Sequence, residues 1–184
     1  MKTTTSIDEI LRCGIEPNES LIHFGAGHKS GNFLSNFYSK VFLEKNLNLG
    51  YTGIEADKNK LDLTKSSLVG LNGGEDISII ETSMQDFISD NTKKYDWGLI
   101  TGIFDKSLYG DEQFKFIHST INEMFNFVET GVIFTYNSFE HQEDMYNIHY
   151  MNGYVQNNYN RYSIVRINEH EYVYCINKYF ISYL

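Results

Sequence analysis

The sequence holds one proline, Pro17, only two cysteines, and only three arginines against twelve lysines. With so little proline, its turns must rest on Gly, Asn and Asp. Cys13 and Cys175 stand far apart and match no metal-ligand spacing, so they read as free thiols and no metal site is expected. No apolar run exceeds strand length, which argues against a membrane-spanning segment. The first residues, Met1 to Cys13, lack the apolar stretch of a secretory signal, and the expected location is the cytoplasm. Basic clusters are missing too. Nothing exceeds the pair Lys93-Lys94, and the net charge is −9. Phosphate backbones are normally met by grouped Lys and Arg, so a nucleic-acid partner is disfavoured.

What is present is the composition of a folded domain. The 184 residues are 41% hydrophobic and 21% charged, enough to bury a substantial core. No repeat or linker divides them, so one domain over residues 1–184 is expected. Nothing in the sequence fixes an oligomeric state.

Strand-like and helix-like runs alternate along most of the chain, the pattern of a parallel sheet covered by helices. A short helix is expected over Ser6–Cys13 and a first strand over Leu21–Phe24, entering the glycine-rich Gly25-Ala-Gly-His-Lys-Ser-Gly31. A helix follows with Leu34, Phe37, Tyr38, Val41 and Phe42 on one face. Tyr51–Ile54 reads as a second strand, ending in Glu55-Ala-Asp57, with a helix over Lys58–Leu68 and a loop over Gly70–Gly74. Ile77–Glu81 is the third strand, followed by a helical turn holding Phe87 and Ile88, and Trp97–Ile103 is the fourth. The clearest amphipathic helix is Asp111–Glu129, with Phe114, Ile117, Ile121, Phe125 and Val128 in one stripe and Thr130-Gly131 as its stop. Val132–Tyr136 makes a fifth strand. Glu140–Asn147 reads as helix and the polar Met151–Arg161 as loop. Tyr162–Ile167 and Tyr172–Asn177 then form a hairpin. The fold class expected is α/β: a Rossmann-like three-layer sandwich on a seven-stranded, mostly parallel sheet with a C-terminal antiparallel hairpin.

In open α/β sheets, ligands lie at the carboxyl ends of the strands, near the point where strand order reverses. Gly25 and Gly27 let the backbone turn sharply and lie directly against a ligand. Glu55, at the end of the second strand, can accept hydrogen bonds from both hydroxyls of a ribose.

With these residues in view, the chain resembles the class I S-adenosylmethionine-dependent methyltransferases. Leu21-Ile-His-Phe-Gly-Ala-Gly-His-Lys-Ser-Gly31 is similar to that family's first motif, and Tyr51-Thr-Gly-Ile-Glu-Ala-Asp57 to its second. Ser83-Met-Gln-Asp-Phe87, Tyr95-Asp-Trp-Gly-Leu-Ile-Thr-Gly-Ile-Phe104 and Glu129-Thr-Gly-Val-Ile-Phe-Thr-Tyr-Asn137 resemble the next three, in the family's order. The resemblance implies S-adenosyl-L-methionine as cofactor, bordered by Phe24, Gly25, Ala26, Gly27, Glu55, Ala56, Ser83, Met84, Asp86, Thr101 and Gly102. Two positions depart from the pattern. His23 stands where the first motif usually has an acid, and Ser83 where the third often has one.

Methyl transfer from a sulfonium draws mainly on holding nucleophile and methyl in line, with a general base needed only for an acceptor of high pKa. His28 and Asp105 are the first candidates for that base, with Asn137, His141 and His149 behind them. The fourth motif, Thr101-Gly-Ile-Phe104, lacks the prolines and the cysteine that the chemistries on DNA bases resemble one another in having. The acceptor expected is therefore a small molecule or glycan. The tyrosines at 146, 150, 154, 159 and 162 are candidates for an aromatic lid, or else for surface loop and partial core. Two other functions share the glycine loop and Glu55. One is a non-catalytic S-adenosylmethionine-binding homologue, for which His23 speaks. The other is an NAD-dependent oxidoreductase, against which stand the terminal hairpin and the lack of a substrate domain.

Overall fold

The computed structural model describes residues 6–27, 32–45, 47–68, 77–104, 111–137 and 142–178. Among them, seven strands form one sheet: β1 (Ser20–Phe24), β2 (Gly50–Glu55), β3 (Ile77–Glu81), β4 (Tyr95–Ile100), β5 (Val128–Asn137), β6 (Tyr162–Arg166) and β7 (Glu171–Asn177). Their order is β3-β2-β1-β4-β5-β7-β6. The chain steps outward from β1 to β3 and then returns to place β4 on the other side of β1, which makes β1/β4 the reversal point. The five strands β1 to β5 are parallel, and β7 runs antiparallel to both β5 and β6. The α/β class and the antiparallel hairpin are thus as expected.

Helices cover both faces. One face carries α1 (Ser6–Arg12) and α2 (Asn32–Tyr38), which continues as a π-helical turn over Ser39–Glu44, with α3 (Lys58–Leu68) beside it. Ile10, Leu34, Phe37 and Val41 meet Leu21, Trp97 and Leu99 there. The other face carries α4 (Met84–Asp90), α5 (Asp111–Phe125) and α6 (Gln142–Asn158), whose Ile117, Ile121, Met151 and Val155 meet Phe24, Ile100 and Phe134. With both faces covered, β1, β2 and β4 are buried along nearly their whole length, whereas edge strand β3 alternates between half-buried and exposed. Cys13, at the end of α1, lies against Cys175 of β7, and both thiols are free.

Several expected boundaries move. α5 ends at Phe125, where Asn126 and Phe127 donate to Glu123 and Met124 in tight i→i−3 bonds. Val128, Thr130 and Gly131 therefore belong to β5, so Gly131 is no helix stop. A Cβ on Gly131 would lie 2.8 Å from the Trp97 ring and 2.6 Å from the Ile176 carbonyl, so this glycine serves close packing. The pairing of β5 with β4 also slips by one residue between Tyr95 and Trp97. β4 ends at Ile100, and Thr101–Phe104 form a turn after the strand, with Thr101 N–H still donating to the Phe24 carbonyl. The segment read as loop after Met151 is helical to Asn158, because Ile148, Met151 and Val155 recur at helical spacing and are buried. The Gly70–Gly74 loop and the side chain of Phe42 lie outside the described residues.

Candidate functional site

The glycine loop closes over the end of β2. Gly25 and Ala26 both donate to the Ile54 carbonyl at 3.2 Å. Gly25 takes φ +79°, and a Cβ there would sit 2.1 Å from the Thr101 carbonyl oxygen, so any other residue would push β1 and the Thr101 turn apart. Gly27 then donates its N–H to Glu55 Oε2 at 3.1 Å, while Glu55 Oε1 accepts from Asp57 N–H at 2.8 Å. Asp57 itself caps α3, accepting from the N–H groups of Asn59 and Lys60 at 3.0 and 3.4 Å. Glu55 thus ties the loop to β2 and leaves the helix end to its neighbour.

Beyond this loop lies an open cleft of about 510 Å³ at the carboxyl edge of the parallel strands. It brings together Phe24, Gly25, Gly27, Glu55, Ala56, Ser83, Met84, Thr101 and Gly102 of the expected set. Two members of that set stand apart. Ala26 is buried beneath the loop, its Cβ directed at Gly53 of β2. Asp86 faces Ser83 in a reciprocal cap of α4: Asp86 N–H donates to Ser83 Oγ at 3.0 Å, and that hydroxyl donates to Asp86 Oδ2 at 2.7 Å. Asn137, at the end of β5, also lines the cleft, whereas His149 is exposed on α6. His28, Asp105 and His141 lie outside the described residues.

The cleft also takes in residues that the sequence did not put forward as site members, among them Ile54, Lys60, Thr82, Gln85, Ile103, Thr135 and Glu171. Ile54 and Gln85 lie inside motifs already quoted, and Thr82 stands one residue before Ser83, so each could have been found beside an expected member. Glu171 had a different signal. A strand that runs antiparallel to β5 must begin where β5 ends, so the first residue of β7 belongs to the same edge as Asn137.

His23 does not face the cleft. Its ring is fully buried between neighbouring strands, with Nδ1 2.5 Å from the Tyr51 hydroxyl and Nε2 2.6 Å from Thr101 Oγ1. Burial pushes its pKa down to about 3, and burial likewise raises that of Tyr51. The imidazole is therefore neutral near pH 7, and it holds Thr101, a cleft residue, in place. Whatever charge an acid at this position would offer a ligand is absent here.

Of the tyrosines considered as a lid, Tyr150 and Tyr154 line a separate depression of about 320 Å³ between α5 and α6, with Phe114, His118 and Met151. The Tyr150 ring lies tilted against Phe114 at 4.2 Å between ring centroids, and Tyr154 shares a 2.9 Å hydrogen bond with Tyr159. The long α6 carries these side chains down the helical face instead of over the cleft. No helix among the described residues is long and apolar enough to cross a membrane.

No protein-family profile matches the sequence, and no curated protein is similar to it in sequence at a significant level. The fold, however, is shared with solved structures. M. capricolum TrmK, in complex with S-adenosyl-homocysteine, aligns with a TM-score of 0.60 at 14% identity, covering 96% of this chain and 69% of its own. SMU.1697c of Streptococcus mutans, also in complex with S-adenosyl-homocysteine, aligns at 0.62 and 11% identity over 96% of this chain and 99% of its own. The C-terminal domain of precorrin-6Y C5,15-methyltransferase from Rhodobacter capsulatus aligns at 0.61 and 7% identity over 97% and 92%. The chain has the fold of the class I S-adenosylmethionine-dependent methyltransferases.

Proposed function

We propose that the chain is an S-adenosylmethionine-dependent methyltransferase acting on a small-molecule or glycan acceptor. The observation that carries this reading is the seat formed by Gly27 and Glu55: a loop with no room for a Cβ, beneath a carboxylate held in place by two backbone N–H groups. Each oxygen of Glu55 keeps a second lone pair for a ribose hydroxyl. Ser83 and Met84 would border the adenine, and Gly25, Thr101 and Gly102 the methionine end. The bound cofactor supplies a methyl group already activated by its sulfonium. The protein's own part is to bind, orient and exclude water. Fold alone does not decide activity, so the site must carry the argument.

The small acceptor is supported by charge and space. Lys60 is the sole basic side chain among the described residues lining the cleft, and the net charge is −9. A phosphate backbone would find little to hold there. His23 is the observation that favours a second reading, a cofactor-binding homologue without transferase activity. Titration calorimetry with S-adenosylmethionine, S-adenosylhomocysteine and NAD tests the proposal. Binding of the first two and not the third is expected, and a preference for NAD would overturn it. Methyl transfer from labelled S-adenosylmethionine to a mixed acceptor panel separates the enzyme from the non-catalytic homologue.

A further inference from the structure

We propose that the acceptor end of the cleft receives a cationic amine, with the Glu171 carboxylate as its counter-charge; this rests on the methyl-transfer reading above. Because β7 is antiparallel to β5, Glu171 pairs with Asn137 and stands at the edge where the parallel strands end. It lines the cleft with Asn137 and Thr135, on the opposite side from Glu55. β2 and β7 are four strand positions apart, about 19 Å across the sheet. One cleft thus carries two carboxylates at its two ends.

Their circumstances differ. Glu55 is engaged by the Gly27 and Asp57 N–H groups, and Lys60 on the same side stands 3.9 Å from Asp57. Glu171 is held by the turn that precedes it. Asn168 Oδ1 accepts from the N–H groups of His170 and Glu171 at 2.8 and 2.9 Å, and Asn168 Nδ2 donates to Glu171 Oε2 at 3.2 Å. Among the described residues nothing engages Oε1, and no Lys, Arg or His side-chain nitrogen lies within 4 Å of the carboxylate. Arg166, on neighbouring β6, donates to the Asn168 carbonyl instead. Glu171 is therefore a half-buried carboxylate lining the cleft, held by Asn168 and with no cationic partner among the described residues. Such a group attracts an ammonium and repels an acceptor bearing carboxylate or phosphate.

The charge is suited to the transfer itself. A primary amine arrives as ammonium and loses one proton to solvent. Its nitrogen lone pair then forms the bond to the methyl carbon, while the electron pair of the breaking carbon–sulfur bond returns to sulfur. The methylated nitrogen leaves as ammonium again, so Glu171 faces a cation in both substrate and product.

Matched pairs of small ligands, titrated into the protein loaded with S-adenosylhomocysteine, test this. Suitable pairs are tyramine with 4-hydroxyphenylacetate, histamine with imidazole-4-acetate, and putrescine with succinate. At least one amine should bind about tenfold or more tightly than its acid. Glu171→Gln should abolish that preference with melting temperature and S-adenosylhomocysteine affinity unchanged. Acids binding as well as amines, no amine binding at all, or a preference that survives Glu171→Gln each overturns the proposal. So does a Glu171→Gln protein that loses affinity for S-adenosylmethionine but not for S-adenosylhomocysteine, which would set the carboxylate against the sulfonium. Failure of S-adenosylhomocysteine to bind the wild-type protein overturns the methyl-transfer reading instead, before any amine is added.

Discussion

Gly27 and Glu55 fit each other as a pair: the Gly27 N–H donates to Glu55 Oε2 at 3.1 Å, and a Cβ on Gly27 would fall 2.5 Å from that same oxygen. The absence of one side chain is what lets the other lie flat against the loop. If that carboxylate receives a ribose diol, Glu55→Ala removes charge-assisted bonds worth about 1.5–3 kcal/mol each. Affinity for S-adenosylmethionine and S-adenosylhomocysteine should fall together by ~10-fold to several hundredfold. Asp57→Ala supplies the contrast. It should lower stability by ~1 kcal/mol through the lost α3 cap while leaving both dissociation constants near wild type. A folded Glu55→Ala protein that binds both ligands normally would remove the proposed seat.

The contact between the two residues also predicts how their variants combine. Gly27→Ala forces the Glu55 carboxylate aside and should weaken cofactor binding through that displacement. Once Glu55 is already Ala, the added methyl has nothing to displace. The double variant should therefore bind about as well as Glu55→Ala alone, a coupling that a double-mutant cycle measures. Simple additivity of the two losses would show that the loop and the carboxylate act separately.

His23 makes acid stability a readout of its burial. Its ordinary pKa of 6.5 falls to about 3 in the fold, so the unfolded chain binds a proton that the native chain refuses. The contribution is complete above pH 6.5 and is lost as pH falls toward 3, by up to ~1.4 kcal/mol for each pH unit. His23→Gln should fold less stably at neutral pH, having exchanged a fitted ring for a flexible amide. Between pH 6 and 4, however, its unfolding free energy should decline less steeply than that of the wild type. Chemical denaturation at stepped pH compares the two slopes, and parallel curves would contradict a neutral buried imidazole.

On α6, stability should follow burial and not aromatic character. Met151 is fully buried against α5 and the sheet, whereas Tyr150 is 50% exposed. Met151→Ala should cost ~2–5 kcal/mol, and Tyr150→Ala no more than ~1 kcal/mol for its tilted ring contact with Phe114. Neither tyrosine of the outer depression lines the cleft, so Tyr150→Ala should leave S-adenosylhomocysteine affinity unchanged. Urea unfolding and calorimetry on the same two variants check both statements.

The fold was legible wherever a strand-length run met a turn signal at each end. β3 and α3 have the bounds that their residues announce, even though β3 is a half-exposed edge strand, and the hairpin of β6 and β7 was visible from two strand-like runs around a polar turn. Misreadings arose where tertiary contact overrode local habit. Gly131 looks like a helix stop, yet the space it leaves is filled by Trp97 from the next strand, a partner no local window contains. Asn-rich residues 151–158 look like loop, yet three buried apolar side chains hold them helical against the sheet. In the cleft, the glycine loop and Glu55 were legible because their spacing follows from a strand, a turn and a second strand. Glu171 was not, since its place depends on the direction in which β7 runs. His23 was noticed as a departure, but only the packing shows its ring turned away from the cleft toward Tyr51 and Thr101.

The position of β7 has a consequence for how this chain assembles. The strand that comes last in the sequence order of the sheet occupies an interior slot, between β5 and β6. Until it docks, the long β5 presents an open row of peptide groups, and β6, whose one neighbour in the sheet is β7, has nothing to pair with. A nascent chain leaving the ribosome must therefore carry an unguarded apolar edge for as long as it takes to synthesise the roughly forty residues from β5 to the end of β7. Intermolecular strand exchange competes during that interval. Misassembly should accordingly depend on translation speed and chaperone supply more than on the stability of the finished sheet.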